Sequence, residues 1–498
     1  MRGRNFKYVQ AKLQAAIEKV EEWSKVWGFN LSVSKTQSIC FYKRHKVLTL
    51  KLYGQLIEQV TVVRFLGVYL DEALTWRQHI DKVKDKCKKV NNLLRCLVGR
   101  EWGADGAALR NIYIALMRSR IDYGCVAYMS AAFSHLKKLD VEHSKALRMC
   151  CGAFKSSPIA AVQVIMGEQP LFIRRLKLLL SYWSCLQSHN ASHPTKNVLL
   201  DCWEHNEKHY TSFGWLGNSL ADHAGLTNHS YVSVNMINNI PPWMFSHPII
   251  DFNMHEYVRK DDSRYTAAAV QAYIDRQYRG KLLVYTDGSK DPATERTGAA
   301  VYVPRHRIGI MKRATDKLSV YVVEVLAILL ALKWLINSDE KDAVILSDSW
   351  SALTSMESFK SCRMDLILEV HTLLNVSRMT GRYVQFAWVP AHVGLEGNED
   401  ADILAKRSLK AEEIQLDVCL GKSEAKAIIK DYCNKRWQNH WDTHELGRSF
   451  YELQRMVGNS LIIGRSRREQ VVMTRIRIGH SGLNATLHRI GKHVTGEL

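Results

Sequence analysis

Five polar residues stand where an ordinary core would not put them. Asp287 ends the run LLVYTD, Asp348 ends AVILSD, Glu324 lies inside the greasy segment SVYVVEVLAILLALKWLI, and His392 and Asp402 follow VQFAWVP. Carboxylates gathered at the ends of neighbouring strands repel one another, so they persist together only where cations share the space between them. Carboxylate oxygens are hard ligands suited to Mg²⁺, which takes its remaining ligands from water and phosphate. In a chain with excess positive charge, such a cluster points to phosphodiester hydrolysis.

The elements that must position these residues follow from the apolar pattern. LLVYTD is expected as a strand that turns at Gly288 and Ser289, followed by strands over Gly298–Pro304 and around Arg307–Lys312 in an antiparallel meander. A helix over Val320–Ile336 comes next. At 100° per residue, Glu324 shares a face with Ala327, Ile328, Ala331 and Leu335, while Lys333 points the opposite way, so Glu324 faces the sheet. Ala343–Asp348 and Val384–Pro390 are further strands with a helix between them. His392 falls in a glycine-containing loop, Asn398 is placed as a helix N-cap, and Asp402 falls in the early turns of that helix. Strands and helices in this order imply an α/β sheet flanked by helices.

Each residue also has a plain structural role available. Asp287 and Asp348 are suitable turn-formers, Asp402 suits the helix dipole or a pair with Lys406 at i+4, and His392 suits a loop surface. Each of these roles accounts for one residue. All five together, in this order, would require five separate coincidences.

Bulk properties narrow the partner. Sixty-nine Lys and Arg against 49 Asp and Glu give a formal charge of +20, which favours a polyanionic partner such as nucleic acid. A membrane is not expected: the start, MRGRNFKYVQ, lacks an apolar stretch, and the longest greasy run is interrupted by Glu324 and Lys333. Eleven cysteines without a CxxC pair argue for reduced, intracellular thiols rather than a disulfide framework or a zinc site.

The 498 residues divide by composition into four regions. Residues 1–190 are mainly helical, broken by the strand-rich patch LTLKLYGQLIEQVTVVRFLGVYLD. Residues 191–279 are an irregular connector punctuated by NNIPPWMFSHP, residues 280–410 carry the α/β pattern, and residues 411–498 form a basic helical tail. After Trp76, Ile80, Val83, Cys87, Val90, Leu94 and Leu97 recur at helical spacing as a core stripe. Lys82, Lys86, Lys88 and Lys89 lie off it, either as a solvated face or along a phosphate backbone.

YTDGSK, VVEVLAILLAL, ILSDSWSAL and WVPAHVGLEGNEDADILAK together resemble type 1 ribonuclease H, in the form fused to reverse transcriptases of non-LTR retrotransposons. Four separated motifs agree in order and spacing over roughly residues 280–410. The resemblance implies a mixed five-stranded sheet flanked by helices. It makes Asp287, Glu324, Asp348 and Asp402 the metal-binding catalytic acids and His392 the general base or product-release histidine. Ser349, just after the third acid, holds the place of a polar residue that helps read the 2′-hydroxyl, and it is also suited to N-cap the next helix. Two Mg²⁺ ions, replaceable by Mn²⁺, are implied, with no small-molecule cofactor. The implied reaction is endonucleolytic hydrolysis of the RNA strand of an RNA–DNA hybrid by two-metal-ion catalysis.

FNLSVSKTQSICF and VRFLGVYLDEALTWRQHIDKVKDKC resemble the segments between the polymerase palm and thumb, so residues 1–190 are expected as a thumb- or connection-like region. The aromatic-x-Asp-Asp palm motif does not appear. The single Asp-Asp pair, Asp261 and Asp262, sits in RKDDSR without strand character, so polymerisation by this chain alone is not expected. His480, His488 and His493 have no nearby cysteines and are not expected to bind zinc. An alternative is a catalytically idle, nucleic-acid-binding remnant, which the four intact acids argue against. A proofreading exonuclease would want Asp-x-Glu where Asp287-Gly288-Ser289 stands, and an integrase-type site would usually end in Glu rather than Asp402.

Overall fold

Apolar, β-branched runs between residues 249 and 388 pair into one sheet in the computed structural model of the chain. Its strands are β1 (Ile249–Asp251), β2 (Leu282–Lys290), β3 (Thr297–Val303), β4 (Ile308–Ala314), β5 (Asp342–Ser347) and β6 (Tyr383–Trp388). Across the sheet the order is β4-β3-β2-β5-β6-β1. β2, β3 and β4 form an antiparallel meander, whereas β2, β5, β6 and β1 run parallel. The structure describes residues 5–41, 47–99, 102–204, 213–234, 241, 247–258, 263–358 and 361–480. Asp261, Asp262, His488 and His493 therefore lie outside the described residues.

Five helices flank this sheet: α1 (Ser263–Gln277), α2 (Val320–Ile336), α3 (Trp350–Glu357), α4 (Met364–Met379) and α5 (Glu396–Ser408). α2 packs on β2 and β3 and also against α4. Every residue of α2 from Val322 to Leu332 is buried, as a helix covered on both sides requires. Lys333 escapes to the surface and pairs with Glu369 at 2.7 Å. α5 packs on β2, β3 and β4, where Gly397 meets the Tyr285 ring so closely that a Cβ there would lie 2.3 Å from it. No helix among the described residues is long and apolar enough to cross a membrane.

The sheet has six strands where five are expected. The extra edge strand, β1, comes from the stretch expected as an irregular connector, and so does α1, whose Val270, Tyr273 and Ile274 join Met254, Tyr285, Val344 and Leu346 in one core. Three residues are too few to show strand alternation. What holds β1 is tertiary: Asp251 accepts hydrogen bonds from Tyr273 at 2.8 Å and Tyr278 at 2.5 Å. β2 also runs on through Gly288 and Ser289 to Lys290 rather than turning there, because β3 continues to pair with it.

Contacts divide the chain into two compact units: Met1–Leu179 with Lys208–Leu216 and Tyr432–Leu498, and Leu180–Glu207 with Gly217–Asp431. The second unit contains the sheet. In the first, helix Arg77–Leu97 packs against helix Phe133–Cys151; its Ile80, Val83, Cys87, Val90 and Leu94 are buried, while Leu97 is half-buried. Lys82, Lys86, Lys88 and Lys89 are exposed. Asn91 donates to the buried Glu142 carboxylate at 2.8 Å, and Tyr113 bonds His143 at 2.8 Å. Much of the stretch expected as a separate basic tail belongs to this unit, because Trp441, Phe450, Val471 and Ile478 bury their side chains.

Candidate metal centre

Parallel register brings the first two acids together. Thr286 lies opposite Ser347 in the ladder between β2 and β5, and one residue further on stand Asp287 and Asp348, where those strands part. α2 supplies the third. A Cβ at Gly288 would lie 2.5 Å from the Glu324 backbone nitrogen, so only glycine lets α2 approach the strand at this level. Ligand atoms of Asp287, Glu324 and Asp348 all lie within 4.8 Å of one another.

Asp287 and Glu324 are each 6% exposed, and Asp348 is half-buried. Burial pushes Asp287 up to about 7, reinforced by the fields of Asp348 and Asp402. Burial holds Glu324 well above the usual carboxylate range, with Asp287 and Asp348 adding to it. Asp348 is raised by burial as well, against the opposing pull of the Asn398 amide, whose Nδ2 lies 3.5 Å from Oδ2, and of His392. Glu324 Oε2 is buried with no hydrogen-bond partner among the described residues. Three carboxylates that resist ionisation next to one another, with an orphaned oxygen among them, form a hard-oxygen set that fits a divalent cation.

Asp402 and His392 stand in a second, adjoining group. With Glu399 their ligand atoms again lie within 4.8 Å of one another. Lys406 Nζ holds Asp402 Oδ2 at 2.6 Å, while the charge of Asp402 still acts on Asp287 and Glu324. His392 is exposed, on a loop backbone with φ of +54°, in the left-handed region. Ser349 caps α3, its hydroxyl accepting from the Ala352 amide at 3.3 Å.

Three of the expected acids thus lie within 4.8 Å of one another, and the fourth, Asp402, stands in the adjoining group with its charge acting on all three. Asn398 is not the N-cap of α5, a position held by Leu395; it sits within the first turn and turns its amide to Asp348. Glu399 joins the group beyond the expected residues, and the sequence signal for it is its i, i+3 spacing from Asp402, which places both on one side of a helix. Trp388 also lies beyond the expected residues. Its indole nitrogen donates to the Asp348 carbonyl at 2.9 Å, and its ring lies edge-on to Trp350 at 5.4 Å. Phe252, from the segment after β1, lies 4.4 Å from Trp350, and nothing in its local sequence announces that contact.

A mixed sheet with this strand order, flanked by helices and with carboxylates where its central parallel strands part, is the ribonuclease H class of fold. Residues 279–410 match the family model for RNase H, and this stretch is an RNase H domain. The chain is also similar to proteins of mobile elements. It is 28% identical over 143 residues to the RNA-directed DNA polymerase from mobile element jockey of Drosophila melanogaster, covering 28% of this chain and 16% of that protein. Against the probable RNA-directed DNA polymerase from transposon X-element of the same species, identity is 25% over 139 residues, 26% of this chain and 14% of the relative. The Retrovirus-related Pol polyprotein from type-1 retrotransposable element R1 2 of Nasonia vitripennis is 22% identical over 187 residues, 35% of this chain and 45% of the relative. The domain is therefore of the kind found in retrotransposon proteins, and the chain matches only a minor part of each of these relatives.

Proposed function

We propose that the chain hydrolyses the RNA strand of RNA–DNA hybrids at internal positions, as a type 1 ribonuclease H within a retrotransposon-derived protein. Asp287, Glu324 and Asp348 would hold Mg²⁺ or Mn²⁺, with Asp402 completing the set. The observation that carries this reading is the convergence of three carboxylates within 4.8 Å, one of whose oxygens, Glu324 Oε2, is buried with no hydrogen-bond partner among the described residues. The RNase H match and the mobile-element relatives support it.

When bound, a pair of divalent cations supplies an activated water and charge stabilisation at the leaving 3′ oxygen. The chain's own residues do the remaining work. Asn398 and Trp388 fix Asp348 from its side chain and its carbonyl respectively, so that its carboxylate keeps one orientation. His392, exposed and beside Glu399 and Asp402, accepts or returns a proton at the edge of the site. Ser349 accepts from Ala352 and lies 3.4 Å from the Ser351 hydroxyl; with Ser351 as donor there, the Ser349 hydroxyl hydrogen can be donated to a 2′-hydroxyl.

The test uses the full chain with Mg²⁺ and either a hybrid labelled in its RNA strand or double-stranded DNA of the same sequence. Internal cuts in the RNA alone are expected. Asp348→Asn should lower turnover by about 10³-fold or more, because metal-assisted charge stabilisation supplies several kcal/mol of barrier reduction. Its folding and hybrid binding should persist. Comparable cutting of double-stranded DNA, or wild-type turnover by a folded Asp348→Asn protein, would overturn the proposal.

A further inference from the structure

The unit without the sheet contains a cavity of about 390 Å³ lined by Arg95, Lys145, Arg148, Lys155, Arg467 and Arg475. Arg95 comes from the end of helix Arg77–Leu97, Lys145 and Arg148 from the last turns of helix Phe133–Cys151, and Lys155 from the loop that follows. Arg467 and Arg475 come from helix Arg467–Ile478, more than three hundred residues further along the chain. Among the described residues that line the cavity, none is acidic.

Part of this charge has a structural role. Arg467 donates to the Cys150 carbonyl at 2.6 Å and the Met149 carbonyl at 2.8 Å, and Arg475 donates to the Gly152 carbonyl at 2.8 Å. These two arginines satisfy carbonyls at the end of helix Phe133–Cys151 and complement its dipole. Arg148 bonds the Ser157 carbonyl at 2.8 Å, and Lys145 is balanced by Glu142 at 2.8 Å.

That role leaves a remainder. Among the described residues, Arg95 reaches only Asn92 of its own helix, at 2.7 Å, and Lys155 has no partner. Arg467 is 6% exposed, and its buried Nε has no hydrogen-bond partner among the described residues. No carboxylate among the described residues forms an ion pair with Arg95, Arg148, Lys155 or Arg467. Burial pulls both Arg148 and Arg467 below the ordinary guanidinium value, a desolvation cost that contact with a bound anion would offset.

We propose that this cavity binds a phosphate of a nucleic-acid strand. Guanidinium groups present paired donors that match phosphate oxygens, and the cavity is roomy enough for a backbone segment rather than a lone ion. Lys82, Lys86, Lys88 and Lys89 are exposed on the same helix as Arg95, where they add a favourable field for a polyanion. This site lies outside residues 279–410 and does not depend on the nuclease reading.

The test measures hybrid affinity of the full chain in EDTA over a series of salt concentrations. The exposed pair Arg95→Ala/Lys155→Ala is compared with an equal charge change at exposed Lys19→Ala/Lys25→Ala, and thermal unfolding checks the fold of both. The cavity pair should lose about 10-fold in affinity at moderate salt, with the slope of log K against log salt shallower by about 1 to 2, as for two lost phosphate contacts. Inorganic phosphate at constant ionic strength should compete only weakly. Turnover at saturating hybrid with Mg²⁺ should match wild type, which separates failure of this site from failure of the nuclease reading. An unchanged slope, an equal effect of the two pairs, or saturable binding of inorganic phosphate that leaves hybrid affinity untouched would overturn the proposal.

Discussion

The acid cluster in the sheet-containing unit and the basic cavity in the helical unit pose the same electrostatic problem with opposite signs. Asp287, Glu324 and Asp348 answer part of the repulsion by holding protons more tightly, with Asp287 pushed up to about 7. Arginines have no such recourse at ordinary pH. Arg148, Arg467 and Arg475 are instead tied to backbone carbonyls, which disperse charge without neutralising it. The acids are short side chains pinned by strand register and one glycine, so their placement tolerates little error. The cations are long side chains gathered from three helices and a loop, suited to following a flexible polyanion. The first arrangement suits chemistry at an atom, the second affinity along a strand.

The sharpest way to break that comparison is to exchange the expected effects of the two sites. His392→Ala should lower hybrid turnover by about 10²-fold, the lower end expected of a proton-transfer residue that water can partly replace. Hybrid affinity measured in EDTA should stay within twofold of wild type. A loss of affinity with turnover intact would assign His392 to binding and erase the division of labour.

A second effect concerns stability and its sign. Asp287 binds its proton more tightly when folded than when unfolded, so the folded state carries more protons between about pH 4 and 7, and stability falls as pH rises through that window. In EDTA, wild type should lose on the order of 2 kcal/mol relative to Asp287→Asn between pH 5 and pH 8 in denaturant titrations. Mg²⁺ should remove most of that difference. The helical unit contains the opposite case: burial, with the fields of Arg175 and Arg118, lowers His143 to about 3, so its contribution is lost as pH falls from about 6.5. Parallel pH profiles for wild type and Asp287→Asn would show that the acids do not repel as described.

The smallest effect belongs to Trp388. Trp388→Phe keeps the ring against Trp350 but removes the hydrogen bond to the Asp348 carbonyl, which should cost about 1 kcal/mol of stability. Turnover should fall by less than about tenfold, with the Mg²⁺ concentration for half-maximal rate rising in step. An unchanged metal dependence would mean that Trp388 packs beside the site without positioning it.

Local pattern carried the elements and the residue types of this protein, because strand and helix periodicities are properties of short windows. Apolar periodicity sufficed for α2, whose expected bounds Val320–Ile336 are the observed ones, and for the inward placement of Glu324. Local sequence also determined the buried stripe of Arg77–Leu97 and the cap at Ser349. Tertiary structure alone set Asp402 beside His392 and Glu399 while its charge still reaches the other three acids, since that depends on how α5 lies against Tyr285 through Gly397. It alone recruited β1 and α1 from an irregular stretch, where three residues gain strand geometry from a neighbour and two tyrosine hydroxyls. The basic cavity was equally illegible, because Arg95 and Arg475 meet only after the chain has passed through the whole sheet-containing unit. Spacing along a chain reports which side chains share a face, but the meeting of distant faces is settled by the burial and pairing that fold them together.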